Sequence, residues 1–285
     1  MRLNLGCGND HRDGYLNVDF LERHRPDLVA DVLRLPLTDK CAAEVFAQDV
    51  LEHLPRTSTQ QALKEWRRVT ADDGVARIRV PSLLHAAGLM REANTLDSHR
   101  LLLQNLYGTQ AYTGDVHLTS FTDLTLTTDL HDAGWGRSDG QLVDNWMWDV
   151  TAYAVRQPSI GVYWGEGVYA PEGHHLSTWR WVARNGRISV INPGSVAYEM
   201  RLTAEVAAEH GRRGVLGVSC ASRMLQRVRH GRRIDVRHTV EPGQRIELQL
   251  DADFAPVEAP GDLRDLRCRI LSPTVTFGGI VDGSR

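Results

Sequence analysis

The chain has 285 residues, of which 42% are hydrophobic and 24% charged, enough for about two domains with a core each. That composition excludes wholesale disorder, a collagen-like repeat and a coiled coil. Lys plus Arg number 33 against 36 Asp plus Glu, a net charge of −3 and an isoelectric point near 6.5, so no global field draws the chain to nucleic acid or to an anionic membrane.

Four cysteines, Cys7, Cys41, Cys220 and Cys268, lie far apart without C-x-x-C spacing. Neither a zinc cluster nor a disulfide framework is expected, and a reducing cytoplasm fits best. The apolar run at Met1–Gly6 is too short for a signal peptide, and no stretch reaches the eighteen or so apolar residues of a membrane span. The expectation is a cytoplasmic protein that is neither exported nor inserted.

In chain order, Arg2–Leu5 reads as a strand running into a glycine turn, Gly14–Phe20 as a second strand and Ala43–Ala47 as a third. Thr57 or Ser58 is placed to cap a helix in which Ala62, Leu63, Trp66 and Val69 recur at helical spacing, with Asp72-Asp73-Gly74 as its stop. Gly74–Pro81 is a fourth strand, with Val75, Ile78 and Val80 as its apolar positions. Leu83–Leu106 is helical in composition but interrupted at Gly88 and Asn94, Thr122–Ala133 is a helix closed by Gly134, and Trp146–Val155 is a closing strand. Strands alternating with helical segments predict an α/β domain with a parallel, Rossmann-like sheet and helices on both faces.

The character changes at Gln157-Pro158-Ser159. Residues 1–156 carry 16 basic and 22 acidic side chains, the remainder 17 and 14. From Ile160 onward, Thr178–Val182, Arg187–Ile191, Tyr198–Ala204, Val215–Val218, Ile234–Thr239, Arg245–Leu250 and Arg267–Leu271 are short β-like runs between Gly, Pro and Asn turns, which predicts a β-sandwich. The expected domains are 1–157 and 158–285.

The sharpest chemical feature is Leu3-Asn4-Leu5-Gly6-Cys7-Gly8, a strand feeding a glycine turn, followed by Asn17-Val18-Asp19-Phe20, where a second strand ends in a carboxylate. Glycines at the end of a first strand let a ligand approach the backbone, and an acid at the end of the second can accept both ribose hydroxyls. A nucleoside cofactor is implied. His11 stands where a dinucleotide fingerprint needs its third glycine, which disfavours pyrophosphate.

Taken with Asp31-Val32-Leu33-Arg34-Leu35-Pro36-Leu37, Asp49-Val50-Leu51-Glu52-His53-Leu54 and Ala62–Val69 before the next strand, the first 156 residues resemble the class I methyltransferases that use S-adenosylmethionine, particularly those encoded near polysaccharide glycosyltransferases. The resemblance implies that the turn at Asn4, Gly6, Cys7 and Gly8 lies against the amino-acid part of the cofactor. It also places Asp19 on the ribose and has Asp31, with the backbone of Val32 and Leu33, border the adenine. Gln48, at a strand end, is a candidate for the methionine portion or a plain loop residue.

Three departures stand out: the sequence starts almost at the first strand, Cys41-Ala42-Ala43 replaces the usual Ser-Phe-Asp, and Asp72-Asp73-Gly74 replaces a Lys-Pro-Gly-Gly turn.

Methyl transfer to a hydroxyl also needs a base. His53, just after a strand end, and His117, in a loop near Tyr107, Gln110 and Tyr112, are the candidates, each with a structural alternative; Asp49 is a third, or a carboxylate favoured by a helix N-terminus. No metal site is expected. In the second half His174-His175 would point to opposite faces of a strand. Tyr163, Trp164, Tyr169, Trp179 and Trp181 read as core rather than sugar-stacking aromatics, and the arginines of 223–237 as a solvated face.

This half resembles, diffusely, the β-sandwich modules of bacterial cell-surface glycan-assembly enzymes, through Trp179-Arg180-Trp181 and Gly261–Arg267. That resemblance implies a sugar hydroxyl of a glycan or glycan precursor as acceptor, with glycosyltransferase partners or a second copy of the chain. A small metabolite or a protein as acceptor, and a non-catalytic cofactor-binding scaffold, are the rival readings.

Overall fold

The computed structural model describes residues 1–111, 114–155, 158–174, 177–209 and 212–280. The chain divides into two compact units, Met1–Ser159 and Ile160–Arg285.

The first unit is a seven-stranded sheet with four helices. Its strands are β1 (Arg2–Leu5), β2 (Leu16–Asp19), β3 (Leu28–Val29), β4 (Ala42–Gln48), β5 (Thr70–Pro81), β6 (Ser138–Val143) and β7 (Met147–Tyr153), in the order β6-β7-β5-β4-β1-β2-β3. Strands β3, β2, β1, β4 and β5 run parallel; β7 is antiparallel to β5, and β6 to β7. From β3 to β5 this is the order of a doubly wound nucleotide-binding sheet, with the antiparallel β6–β7 hairpin following β5 where a sixth parallel strand would stand. The chain reverses direction across the sheet between β1 and β4, which opens a crevice at the carboxyl ends of those strands.

Helix α1 (Thr59–Val69) buries Thr59, Ala62, Leu63, Trp66 and Val69, the stripe that its 3.6-residue spacing dictates. It packs on α4 (Asp123–Asp132), while α2 (Leu83–Glu92) packs on α3 (Leu96–Tyr107). Trp66 anchors the layer: its indole is fully buried and donates to the carbonyl of Val32 at 3.1 Å.

Several local expectations are corrected. Ser58 precedes α1 but its hydroxyl makes no capping bond, because a one-turn 3-10 helix at Arg56–Ser58 already sets the entry. Helix α1 ends at Val69, not at Asp72-Asp73-Gly74: the Thr70 hydroxyl donates to the Trp66 carbonyl at 2.7 Å and the chain enters β5 at once. Gly88 lies inside α2, and the helical segment breaks at 93–95, where Thr95 caps α3 by accepting from the Ser98 amide. The α4 cap is Thr122, with a reciprocal bond to Thr125. Strand β3 is too short, and β6 too polar, to stand out from the sequence.

The second unit is all β. One sheet orders β14 (Arg223–Arg229), β13 (Val215–Cys220), β16 (Arg245–Asp253), β11 (Asn185–Ile191) and β8 (Gly161–Trp164); the other orders β15 (Arg233–Val240), β12 (Tyr198–Ala207), β17 (Cys268–Ile280), β10 (Ser177–Val182) and β9 (Glu172–His174). Alternate residues of both sheets enter one core, among them Val162, Val190, Leu202, Val218, Val236, Leu248 and Ile270.

Tyr163, Trp164 and Trp181 are buried, as read from the sequence. Arg180 lies over the Trp164 ring at 4.3 Å, and Arg269 is 5.6 and 5.2 Å from the rings of Trp179 and Trp181. Arg223, Arg227, Arg229, Arg232 and Arg233 are exposed, the solvated face expected of them. Strands β8, β9 and β14 are additions to the seven expected. His175 and the side chain of His174 lie outside the described residues, as does Gln157 at the expected domain junction.

Candidate functional site

At the end of β1 the chain turns through Gly6 and Gly8, both at positive φ (60° and 50°). A Cβ on Gly6 would stand 2.7 Å from Val50 Cγ2, whereas one on Gly8 would meet nothing within 4 Å. Gly6 is therefore demanded by packing, and Gly8 faces open space. Between them, the Cys7 amide donates to the Val18 carbonyl at 3.0 Å. Burial, helped by the charge of Asp19, pushes the Cys7 thiol up to about 11, so it stays protonated and inert. Asn4 is buried and belongs to the scaffold: its amide donates to Asn17 Oδ1 at 2.9 Å and to the Asp10 carbonyl at 2.7 Å.

The Asp19 carboxylate accepts one backbone amide on each oxygen, Gly8 N at 2.9 Å and Leu21 N at 2.7 Å, with His24 Nδ1 3.2 Å away. A carboxylate offers about four acceptor directions, so two remain after the amides are counted. Phe20 and Val29, 66% and 52% exposed, leave apolar surface beside it, Val29 being paired with Asp19 across the β2–β3 ladder.

Asp31 accepts the Leu33 amide at 2.9 Å on its side chain and the Arg34 amide at 3.0 Å on its carbonyl. The turn is held to α1 by Trp66 on the Val32 carbonyl and by Gln61 on the Leu33 carbonyl at 3.3 Å. Gln48, the last residue of β4, accepts from Arg12 at 3.4 Å. An open glycine turn, a carboxylate with spare acceptor directions and an exposed apolar surface next to it suit an adenosyl sulfonium donor.

A second feature lies beyond the ends of β4 and β5: a cleft of about 410 Å³ whose lining includes Asp49, Glu52, His53, Arg79, Asn105, Asp115, His117, Asp144 and Trp146. Asp49 sits at φ 53° with its amide on the Arg79 carbonyl at 3.2 Å, and Leu51–His53 form a single 3-10 turn. That turn delivers Glu52 and His53. The Glu52 carbonyl then accepts the amides of Leu118 (2.7 Å) and Thr119 (3.2 Å), which brings the distant 116–119 loop and His117 to the same place.

His53 Nδ1 lies 3.2 Å from the Val116 carbonyl, and the two imidazoles stand edge to face, 4.8 Å between centroids. Burial, then the neighbouring His53, hold His117 below the usual histidine range, against backbone carbonyls at Asn105 and Leu106 that favour its N–H. Burial likewise raises Asp49, opposed by Arg79. Arg79 is itself held by a two-point bond to Asp149, its Nη2 donating to Oδ2 at 2.8 Å.

Glu52 is the residue that sequence reading missed. It is 1% exposed, and among the described residues neither carboxylate oxygen has a hydrogen-bond partner. Burial pushes its carboxyl up to about 8, with Asp49 adding to the effect and its own amide opposing it. The string Asp49-Val50-Leu51-Glu52-His53 was visible, but a carboxylate next to a histidine gives no sign in sequence that it turns inward. Of the rim residues expected near His117, Tyr107 is 57% exposed and Gln110 bonds the Tyr107 carbonyl at 3.4 Å; neither lines the cleft. Tyr112 lies outside the described residues. The structure thus brings His53, His117 and Asp49 together in one cleft, and Val50 of the same segment packs against Gly6 of the glycine turn.

Residues 3–78 match the family described as "Methyltransferase domain". Over those residues the chain carries a methyltransferase domain. Its match ends within β5, so the cleft residues from Arg79 onward and all of the second unit lie outside it.

Among solved structures, a Pyrococcus horikoshii protein is 16% identical over 53% of this chain and 80% of that one, with a TM-score of 0.42. An S-adenosylmethionine-dependent methyltransferase from Methanosarcina mazei is 14% identical over 53% and 91%, with a TM-score of 0.40. A 1,6-didemethyltoxoflavin-N1-methyltransferase from Burkholderia thailandensis, solved with S-adenosylhomocysteine, is 14% identical over 53% and 69%, with a TM-score of 0.37. No protein of curated function matches the chain. Among the described residues no helix of the methyltransferase is long and apolar enough to cross a membrane.

Proposed function

We propose that this methyltransferase O-methylates a sugar hydroxyl of a cell-surface glycan or its precursor, held in the cleft beyond β4 and β5. One observation supports the reading above others. The cleft wall is crowded with groups that bond hydroxyls, including Asp49, Asn105, Thr109, Asp115 and Asp144, with Trp146 as an aromatic surface. That mixture suits a polyhydroxylated ring better than an apolar or strongly anionic acceptor.

On this reading Asn4, Gly6, Cys7, Gly8, Asp19, Asp31, Val32, Leu33 and Gln48 seat the donor, with Asp19 on the ribose hydroxyls and Phe20 beside the base. The donor supplies a methyl group on a positively charged sulfur. The chain's own task is to align the acceptor oxygen and to take its proton as the bond forms. The Glu52, His53 and His117 cluster is the part of the cleft that eases the loss of that proton, and Asp49 and Arg79 orient the ring. The β-sandwich would meet the rest of the glycan or a glycosyltransferase of the same assembly.

The test is to incubate the full chain with methyl-labelled S-adenosylmethionine and fractionated cell-envelope glycans. Label in a carbohydrate fraction, lost in His117→Ala, is the expected result. Label confined to small metabolites or to protein would transfer the reading to those acceptors, and donor binding without turnover on any fraction would leave a scaffold.

A further inference from the structure

We propose that Glu52, His53 and His117 bind one divalent transition-metal cation of the zinc type, positioned to hold the acceptor. The role assigned to the ion rests on the methyltransferase reading; the binding does not.

The ligand-type atoms of these three side chains all lie within 4.8 Å of one another. Two imidazoles and a carboxylate are the donor set that suits zinc and its neighbours in sites that keep a coordination position open. Bonds of 2.0–2.1 Å would need ligand atoms about 3.3 Å apart, a contraction that small side-chain rotations supply.

The histidines are oriented as ligands usually are, by backbone carbonyls behind them. A carbonyl only accepts, so the Val116 carbonyl requires the proton on His53 Nδ1 and leaves Nε2 with its lone pair. The carbonyls at Asn105 and Leu106 do the same for one nitrogen of His117.

The independent observation is Glu52. A carboxylate 99% removed from solvent, with both oxygens unbonded among the described residues, is the costliest unsatisfied group the cleft could hold. Of the other charged groups that face it, Asp49, Asp115 and Asp144 are acidic, and the one cation among the described lining residues, Arg79, is already bonded to Asp149. A cation is the partner that this arrangement lacks.

A hydroxyl taken at the open position would lose its proton more readily. The proton leaves to water through the cleft mouth, the oxygen's electron pair forms the O–CH3 bond, and the pair of the broken S–CH3 bond stays on sulfur, giving S-adenosylhomocysteine.

Chelator-treated full-length protein, titrated with Zn2+ by calorimetry and with Co2+ by visible absorption, is expected to take up one ion per chain. The Co2+ form should show the d–d bands of a low-coordinate nitrogen and oxygen site. Glu52→Gln and His117→Gln should each weaken Zn2+ at least tenfold while binding S-adenosylhomocysteine as the parent does, which certifies their fold. No stoichiometric uptake by the parent, or uptake unchanged in both variants, overturns the proposal. Glycan methylation by a chain that binds no ion would leave the function standing and this inference fallen. An ion bound as expected without methylation of any glycan would do the reverse.

Discussion

At the donor end of the site, Asn4, Asn17 and Asp19 are buried and bonded to one another's loops within 2.9 Å, whereas in the cleft Glu52 is equally buried and its carboxylate oxygens have no hydrogen-bond partner among the described residues. The first arrangement is complete without ligand, so it preorganises a surface at no further cost in ordering. The second stores an unmet demand, and native proteins tolerate such groups chiefly where chemistry uses them. The two ends should therefore fail differently when mutated.

The largest effect is expected in the cleft. His53→Ala or His117→Ala should lower turnover on the true acceptor by roughly 10²–10⁴-fold, the usual contribution of a group that handles the proton, with donor affinity nearly intact. Steady-state rates alongside calorimetry with S-adenosylhomocysteine separate the two quantities. A variant that loses donor affinity instead would show that the ends are not independent.

At the donor end, Asp19→Asn keeps one acceptor oxygen for the Gly8 or Leu21 amide but loses the charge that strengthens bonds to two ribose hydroxyls. Affinity for S-adenosylmethionine should fall about tenfold or more, in line with 1.5–3 kcal/mol for a hydrogen bond to a charged group. Unchanged affinity on a folded variant would confine Asp19 to bracing the turn.

The same contrast explains what could be read from sequence. The donor end is built from contiguous segments whose spacing carries the signal: a strand, two glycines, a second strand ending in Asp19, and the α1 stripe through Trp66. The class I fold and its cofactor were legible from these. The cleft is assembled by one local pairing, the Glu52 carbonyl on the amides of Leu118 and Thr119, which joins segments more than sixty residues apart and leaves no periodic trace. His53 and His117 could be named as candidates one at a time, but not as neighbours. Thr70 ending α1 was missed for a similar reason: a β-branched residue whose hydroxyl closes the last turn reads, in sequence, as the next helical position.

A scaffold carboxylate sharpens the comparison with a smaller effect. Asp129 on α4 is half-buried, but Gln60 of α1 donates to its side chain at 2.9 Å and to its carbonyl at 3.0 Å. Burial raises its carboxyl above the ordinary value of 3.8, Gln60 opposing and Asp132 assisting. Since the folded state holds this proton more tightly than the unfolded one, the contribution to stability is full below 3.8 and is lost as pH rises through the folded pKa. Asp129→Asn keeps the acceptor for Gln60 and removes the titration. It should therefore raise Tm by roughly 1–2 °C near pH 7 and leave it unchanged near pH 3. An equal shift at both pH values would mean that the effect is packing and not charge.

The smallest effect is expected from removing the second unit. The core of the β-sandwich is made of residues from Ile160 onward, while the first unit buries Leu3, Val18, Val45, Trp66, Ile78, Leu126, Trp135 and Trp148 among its own strands and helices. A chain ending at Ser159 also keeps the bond of that residue to His131 at 2.7 Å. We expect this fragment to unfold cooperatively and to bind S-adenosylhomocysteine as the full chain does, measured by thermal denaturation and calorimetry, since neither the glycine turn nor Asp19 draws on the sandwich. Methylation of a long glycan should fall more than methylation of a short acceptor, because only the former has a use for a second binding surface. Loss of donor binding in the fragment would mean that the two units are one cooperative body, and equal activity on long and short acceptors would remove the sandwich from substrate recognition.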